Sequence, residues 1–194
     1  MLKTLLPNIF KRNLINRSIS TFTVGGVKET IIERTDYPLQ KCRDIIGTNI
    51  VSVLGYGPQG RGQALNLRDN GFNVILGLRD GNSKKAAIND GWVEGKNLFS
   101  IKDATRQGNI IQYLLSDVGQ IKEWDTVKNN LSTNDMLYFS HGFGITYSDK
   151  TGIIPPNDID VVLVAPKGSG ITVRNHFVNG GGINASYAVH QNYT

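Results

Sequence analysis

Five short apolar runs alternate with stretches of helical pattern, and that alternation constrains the fold of this chain more than any other feature. The runs are "IVSVLG" from Ile50, "FNVILGL" from Phe72, "NIIQYLLS" from Asn109, "MLYFSHG" from Met136 and "DVVLVAP" from Asp160. Each is short and β-branched or aromatic, the composition of strands buried on both faces of a parallel sheet. Helical patterns lie between them over Gln59 to Asn70, Ser83 to Asn89, Ile101 to Gln107 and Val118 to Asn130. Strands alternating with helices give a sheet covered on both faces. The expected class is therefore α/β, a doubly wound, mostly parallel sheet of Rossmann type. The paired prolines of "IIPPND", Ile153 to Asp158, read as a loop.

At 194 residues the chain holds one core of ordinary size. The formal net charge of +5 invites a nucleic-acid or membrane reading, but its placement argues against both. Residues 1–28 carry Lys3, Lys11, Arg12, Arg17 and Lys28 with no acid, and the remaining 16 bases face all 16 acids. The body is neutral, so neither nucleic acid nor a membrane is an expected partner. In the acid-free leader, Leu2, Leu5, Leu6, Ile9 and Phe10 fall at helical spacing among basic residues, with hydroxyls near its end. This pattern suits a mitochondrial presequence, and a basic tail without structure is the competing reading. The expected division is a presequence over 1–22 with import into the matrix, a polar lead-in over 23–47 and a nucleotide-binding domain over 48–194. The single cysteine, Cys42, excludes an internal disulfide framework, and no Cys/His spacing reads as a zinc site.

The first strand runs directly into Gly55, Tyr56, Gly57, Pro58, Gln59 and Gly60. In this pattern the first glycine permits a sharp turn, the second lets a pyrophosphate approach the backbone, and the third lets the helix pack on the strand. The helix N-terminus adds free N–H groups and a positive dipole end. Pro58 lacks an N–H, but its fixed φ suits the first turn of a helix. At the end of the second strand stands Arg79, where an acid would take a ribose 2′-hydroxyl and an arginine accommodates a 2′-phosphate. Ser83, Lys84 and Lys85 follow it, so the expected cofactor is NADPH. Asp80 argues for NAD, and a solvated "RDGNSKK" turn is the reading without a ligand.

Three more strand ends offer polar groups where open α/β sheets bind ligands. They are "LLSD" (Leu114 to Asp117), "SHGF" (Ser140 to Phe143) and "APKGSG" (Ala165 to Gly170). His141 could donate to a carbonyl or move a proton, and Lys167 could neutralise a carboxylate or an oxyanion.

With "GYGPQGRGQALNLRDNGFNVILGLRDGNS", "AAINDGW", "LLSD", "YFSHGF", "VVLVAPKGSG" and "GINASYAV", the chain resembles the ketol-acid reductoisomerases, or acetohydroxy-acid isomeroreductases, in their fungal-type mitochondrial form. The resemblance covers the N-terminal NADP-binding domain of that family. It implies magnesium-assisted alkyl migration in 2-acetolactate or 2-aceto-2-hydroxybutyrate, then reduction by NADPH, in valine and isoleucine biosynthesis. It implies that Gly55, Tyr56, Gly57, Pro58, Gln59, Gly60, Arg79, Ser83, Ser116, Asp117 and Gln120 bind NADPH. His141 matches the family's active-site histidine and Lys167 its active-site lysine.

Departures from the family pattern are Pro58 in place of a small residue, Lys84 in place of a tryptophan and Ile171 in place of an arginine. The family continues into a helical domain that supplies the carboxylates for Mg²⁺, and those ligands are missing here. The expectation is NADPH binding without turnover by this polypeptide alone, its macromolecular partner being another copy of the chain or a separately encoded helical domain. A truncated, non-catalytic nucleotide-binding or partner-binding protein is the alternative.

Overall fold

A computed structural model describes residues 20–194 of the chain. The expected presequence lies outside the described residues apart from its last three positions, which open the first strand. The chain divides into two compact units, one running to Thr48 with Thr194 and one spanning Asn49–Tyr193.

In the first unit, β1 (Ser20–Val24) and β2 (Val27–Ile31) form an antiparallel hairpin in which Phe22 stands opposite Glu29. Gly25 and Gly26 make its two-residue turn with φ of 56° and 82°. Positive φ at both positions matches the twist of a two-residue hairpin. Helix α1 (Leu39–Ile46) follows Pro38 and stops at Gly47, φ 58°. The stretch read as a polar lead-in over 23–47 thus contains most of a hairpin, whose first three residues fall in the span expected for the presequence, and a helix.

The second unit is built on one seven-stranded sheet. Its strands are β3 (Val51–Leu54), β4 (Val74–Gly77), β5 (Leu98–Phe99), β6 (Ile110–Tyr113), β7 (Met136–Phe139), β8 (Asp160–Pro166) and β9 (Ala185–Gln191). The spatial order is β5-β4-β3-β6-β7-β8-β9, parallel throughout except for β9, which runs antiparallel to β8. Chain progression reverses between β3 and β6, which lie side by side with Val51 opposite Ile110. In open α/β sheets such a switch point opens a crevice at the carboxyl ends of the strands. All five apolar runs become strands of this sheet.

The crossovers are α2 (Pro58–Asp69), α3 (Asn82–Asn89), α4 (Ile101–Gln107) and α5 (Asp117–Lys128). Ser100 and Ser116 cap α4 and α5 by accepting the amides of Asp103 and Gly119, an arrangement that satisfies a first-turn donor. Two single turns, α6 (Phe143–Thr146) and α7 (Ser148–Thr151), follow β7, and α8 (Gly170–Val178) follows β8. The core joins Leu54, Ile111, Tyr113, Leu137 and Phe139 of the sheet to Trp124 and Val127 of α5. Ile153 and Ile159 from the proline loop complete it, both about fully buried at 1% and 0% exposure.

Helix α8 packs against α2 through an unusually close approach. A Cβ on Gly62 would lie 2.5 Å from the carbonyl oxygen of Gly170, and one on Gly170 would overlap the carbonyl of Pro58. Arg174 then ties the two helices, with Nη1 donating to Asn66 Oδ1 at 2.9 Å and Nη2 lying 2.7 Å from Asp69 Oδ2.

Candidate functional site

The glycine loop leaves β3 at the switch point, and its glycines divide between structure and access. Gly55 has φ 103°, and a Cβ there would stand 2.7 Å from the Leu114 carbonyl oxygen of the neighbouring β6 end. A side chain at Gly60 would collide with the Gly55 carbonyl. Gly57 differs: it is the N-cap of α2 with φ −70°, and nothing lies within 4 Å of the place its Cβ would take. Its openness leaves the backbone available to a ligand. Pro58 occupies the first helical turn as expected. The first intrahelical bond here runs from Arg61 N to the Gly57 carbonyl at 2.8 Å, so the amides of Gln59 and Gly60 precede the helical ladder and point outward along the axis.

Tyr56 is placed differently from its neighbours. It is 5% exposed, and its hydroxyl donates to Asp90 Oδ2 at 2.9 Å while accepting from Trp92 Nε1 at 2.9 Å. Arg61 holds the same carboxylate in a bidentate grip, Nε to Oδ2 at 2.7 Å and Nη2 to Oδ1 at 2.8 Å. Arg68 donates to the Asp90 carbonyl at 2.9 Å and stacks on Trp92 at 4.7 Å. The hydrogen bond from Arg61 keeps the Asp90 carboxyl below its ordinary range, and burial pushes the Tyr56 hydroxyl up. The Tyr56 side chain therefore anchors the loop from below, and only the backbone of this residue can face a ligand. Asp90 and Trp92 sit in the "AAINDGW" string, but nothing in its spacing announces a partner in the glycine loop.

Gln59 and Gln63 extend the loop's reach toward the other strand ends. Gln59 Nε2 donates to the Gly168 carbonyl at 2.8 Å. Gln63 Nε2 donates to Gln59 Oε1 at 3.1 Å and to Ser140 Oγ at 2.9 Å, and the Tyr138 hydroxyl donates to Gln63 Oε1 at 2.9 Å. One polar chain thus connects the glycine helix to the ends of β7 and β8. Sequence reasoning missed Gln63 and Tyr138, because neither residue type at these positions distinguishes a buried link from an exposed amide or a core tyrosine.

Arg79 follows β4 and is half-exposed, with Nη1 3.6 Å from Glu123 Oε1. It borders a cleft of about 610 Å³ whose charged lining is Arg79, Lys84 and Lys102 against Asp80, Glu94 and Glu123. Lys84 Nζ lies 2.8 Å from Asp80 Oδ1 and 2.9 Å from Glu94 Oε2. The lysine read as a free positive charge is thus ion-paired twice, and Asp80 is one of its partners. Ser83 is exposed in the first turn of α3.

At the end of β6, Ser116 caps α5 and Asp117 opens it, the Asp117 carboxylate standing 3.4 Å from His141 Nε2. Both of those side chains are 49% exposed. Lys167 is exposed at the end of β8, its amide donating to the Asn184 carbonyl at 2.8 Å. Gln120 departs from expectation. It is 2% exposed, and its Nε2 donates to the carbonyls of Tyr113 and Leu115, each at 3.1 Å. Its side chain braces the β6 loop from inside and presents nothing to the open crevice. Ile171, where the family pattern has an arginine, is 65% exposed.

The sheet register thus brings the glycine loop, Arg79, Ser116, Asp117, His141 and Lys167 to carboxyl ends of neighbouring parallel strands. Among the described residues no group of three or more His, Cys, Asp or Glu side chains is arranged to hold a metal ion, and no helix is long and apolar enough to cross a membrane. The residues 45–194 match the family described as acetohydroxy acid isomeroreductase, NADPH-binding domain. The chain is 53% identical over 175 residues to the ketol-acid reductoisomerase (NAD(+)) of Desulfosudis oleivorans, covering 90% of the chain and 50% of that protein. It is 50% identical over 185 residues to the mitochondrial ketol-acid reductoisomerase of Saccharomyces cerevisiae, covering 95% and 47%. Among solved structures, an NADH-preferring ketol-acid reductoisomerase from an uncultured archean superposes with a TM-score of 0.74 at 34% identity, over 85% of this chain and 49% of that one. The chain spans about half the length of the relatives it matches. With the glycine loop at a switch point and this extent of identity, the chain belongs to the ketol-acid reductoisomerase family and corresponds to its N-terminal, NADPH-binding domain.

Proposed function

We propose that this chain supplies the reductive half of a ketol-acid reductoisomerase: it holds NADPH against a substrate of the 2-acetolactate or 2-aceto-2-hydroxybutyrate class. The observation that carries the reading is the open space over Gly57 at the N-terminus of α2, beside the β3/β6 switch point. Backbone of Gly55, Tyr56, Gly57, Pro58, Gln59 and Gly60 forms the phosphate cradle, and the amides of Gln59 and Gly60 face the pyrophosphate. Arg79 and Ser83 take the 2′-phosphate, Arg79 through a planar fork suited to a dianion. Ser116 and Asp117 border the crevice, and Gln120 acts by bracing their loop. The bound cofactor supplies the hydride.

His141 and Lys167 act on the substrate side. The Asp117 carboxylate lies 3.4 Å from His141 Nε2, which favours a ring orientation that leaves Nδ1 for a substrate oxygen. The exposed Lys167 ammonium neutralises the substrate carboxylate. Alkyl migration needs a Lewis acid on the substrate oxygens, and the described residues offer no carboxylate cluster for Mg²⁺. That step therefore belongs to groups outside them, and none of it is assigned to this chain. Residues 48–194 form the cofactor domain. The acid-free leader is read as a presequence over 1–22 with the matrix as destination, supported by the mitochondrial name of the yeast relative. A non-catalytic nucleotide-binding protein is the second reading, favoured by the same lack of a carboxylate cluster.

The test is fluorescence titration of the purified chain with NADPH and NADH, followed by addition of 2-acetolactate and Mg²⁺. Saturable binding with NADPH favoured supports the cofactor reading. No turnover is expected on adding substrate; turnover would exclude the non-catalytic reading and return the metal-assisted step to this chain, and failure to bind either nucleotide would overturn the cofactor reading itself.

A further inference from the structure

We propose that Glu94 is a cofactor-specificity residue: by holding Lys84 it limits how strongly the cleft favours a 2′-phosphate over a 2′-hydroxyl. This rests on the reading of the cleft beside Arg79 as the cofactor's ribose end.

Lys84 lies in the first turn of α3, on the same cleft as Arg79. Its ammonium has three donors, and two are spent on Asp80 at 2.8 Å and Glu94 at 2.9 Å. The Lys84 side chain is 24% exposed, whereas those of Asp80 and Glu94 are 93% and 57% exposed. The base is the enclosed member of the trio and the acids flank it toward solvent. The two acids are not equivalent. Asp80 reaches Lys84 from just ahead of α3, four residues away in the chain, whereas Glu94 comes from beyond α3, in the segment leading to β5.

The cleft as a whole carries three basic and three acidic side chains, and Arg79 also faces an acid, Glu123, at 3.6 Å. A 2′-phosphate brings close to two negative charges into this balanced lining. It gains from Arg79 and Lys84, but it is repelled by Glu94 and must compete with it for the Lys84 ammonium. A 2′-hydroxyl brings no charge, so Glu94 does not repel it and no anion competes for the Lys84 ammonium. Glu94 therefore acts on one nucleotide and spares the other, which is what defines specificity. Exposed ion pairs of this kind are individually weak, so a phosphate can displace Glu94 and the effect is a change of ratio.

The test is titration of the full chain and of Glu94→Gln, Lys84→Met and the double variant with NADPH and NADH under one salt condition. Glu94→Gln is expected to tighten NADPH roughly three- to tenfold while NADH stays within about twofold. In the double variant most of the gain should vanish, because Lys84 is the group released and only the screened direct repulsion by Glu94 is left to relieve. If the wild-type chain binds nucleotide but Glu94→Gln leaves the NADPH-to-NADH ratio unchanged, or keeps its gain without Lys84, the proposal fails and the cofactor reading survives. If neither the wild type nor Glu94→Gln binds any nucleotide, both fail.

Discussion

Gln63 donates its side-chain amide to the Ser140 hydroxyl at 2.9 Å, tying the middle of the glycine helix to the strand end that carries His141. The same side chain accepts from Tyr138 and donates to Gln59, so every polar atom of its amide is matched. Replacing Gln63 with methionine keeps the volume and breaks these links. Leaving buried partners unsatisfied costs about 1 to 3 kcal/mol, so the urea midpoint should fall with the slope unchanged. A midpoint equal to the wild type would show that water and the Val164 carbonyl, which already lies 3.1 Å from the Tyr138 hydroxyl, keep these groups satisfied.

Gly57 and Gly60 should separate binding from folding. Gly57→Ala places a methyl in open space at an ordinary φ, so the melting temperature should stay close to wild type while NADPH binding weakens at least tenfold. Gly60→Ala drives a Cβ into the Gly55 carbonyl, and overpacking of this kind costs about 1 to 3 kcal/mol or more. Thermal melts paired with nucleotide titrations check both, and equal loss of stability in the two variants would contradict the assignment.

The Tyr56–Asp90–Arg61 anchor makes a pH prediction. The folded-state pKa of Asp90 is lowered, first by its hydrogen bond from Arg61. Its contribution is therefore fully present above the ordinary carboxyl value of 3.8 and is lost as pH falls below it. Arg61 is 55% exposed, and solvent screening limits the effect to about 1 kcal/mol. Asp90→Asn should be less stable than wild type at neutral pH, and the gap should close below pH 3.8 in denaturant titrations.

Adjacent positions in α8 should behave in opposite ways. Gly170→Ala overlaps the Pro58 carbonyl and forces α8 off α2, at an expected 2 kcal/mol or more on the order of other overpacked sites. Ile171 is 65% exposed, and Ile171→Ala should shift stability by no more than about 0.5 kcal/mol. Chemical denaturation of the two variants tests the contrast.

Local pattern was enough for five of the six parallel strands, for four of the helices and for the turn at Gly55, because each rests on properties of its own segment; β5, two residues long, carries no such signal. Continuous apolar runs cannot face water, Pro58 fits only a first helical turn, and Gly55 adopts a φ of 103° that a side chain would oppose. Strand β9 escaped that reading: Ala185 to His190 are exposed and carry no core signal, and the strand exists because β8 offers its edge. Tyr56, Gln120 and Lys84 show the same boundary within the site. Tyr56 and Gln120 stand where the family pattern has them, and Lys84 stands where the chain departs from it. Their orientations are decided by Asp90, by the Tyr113 and Leu115 carbonyls, and by Glu94, partners that only the folded chain brings within hydrogen-bonding distance. Hydrogen bonds and ion pairs act over a few ångströms in space, whatever the separation along the chain, so local pattern places the crevice and the packing of distant segments selects the side chains that face it.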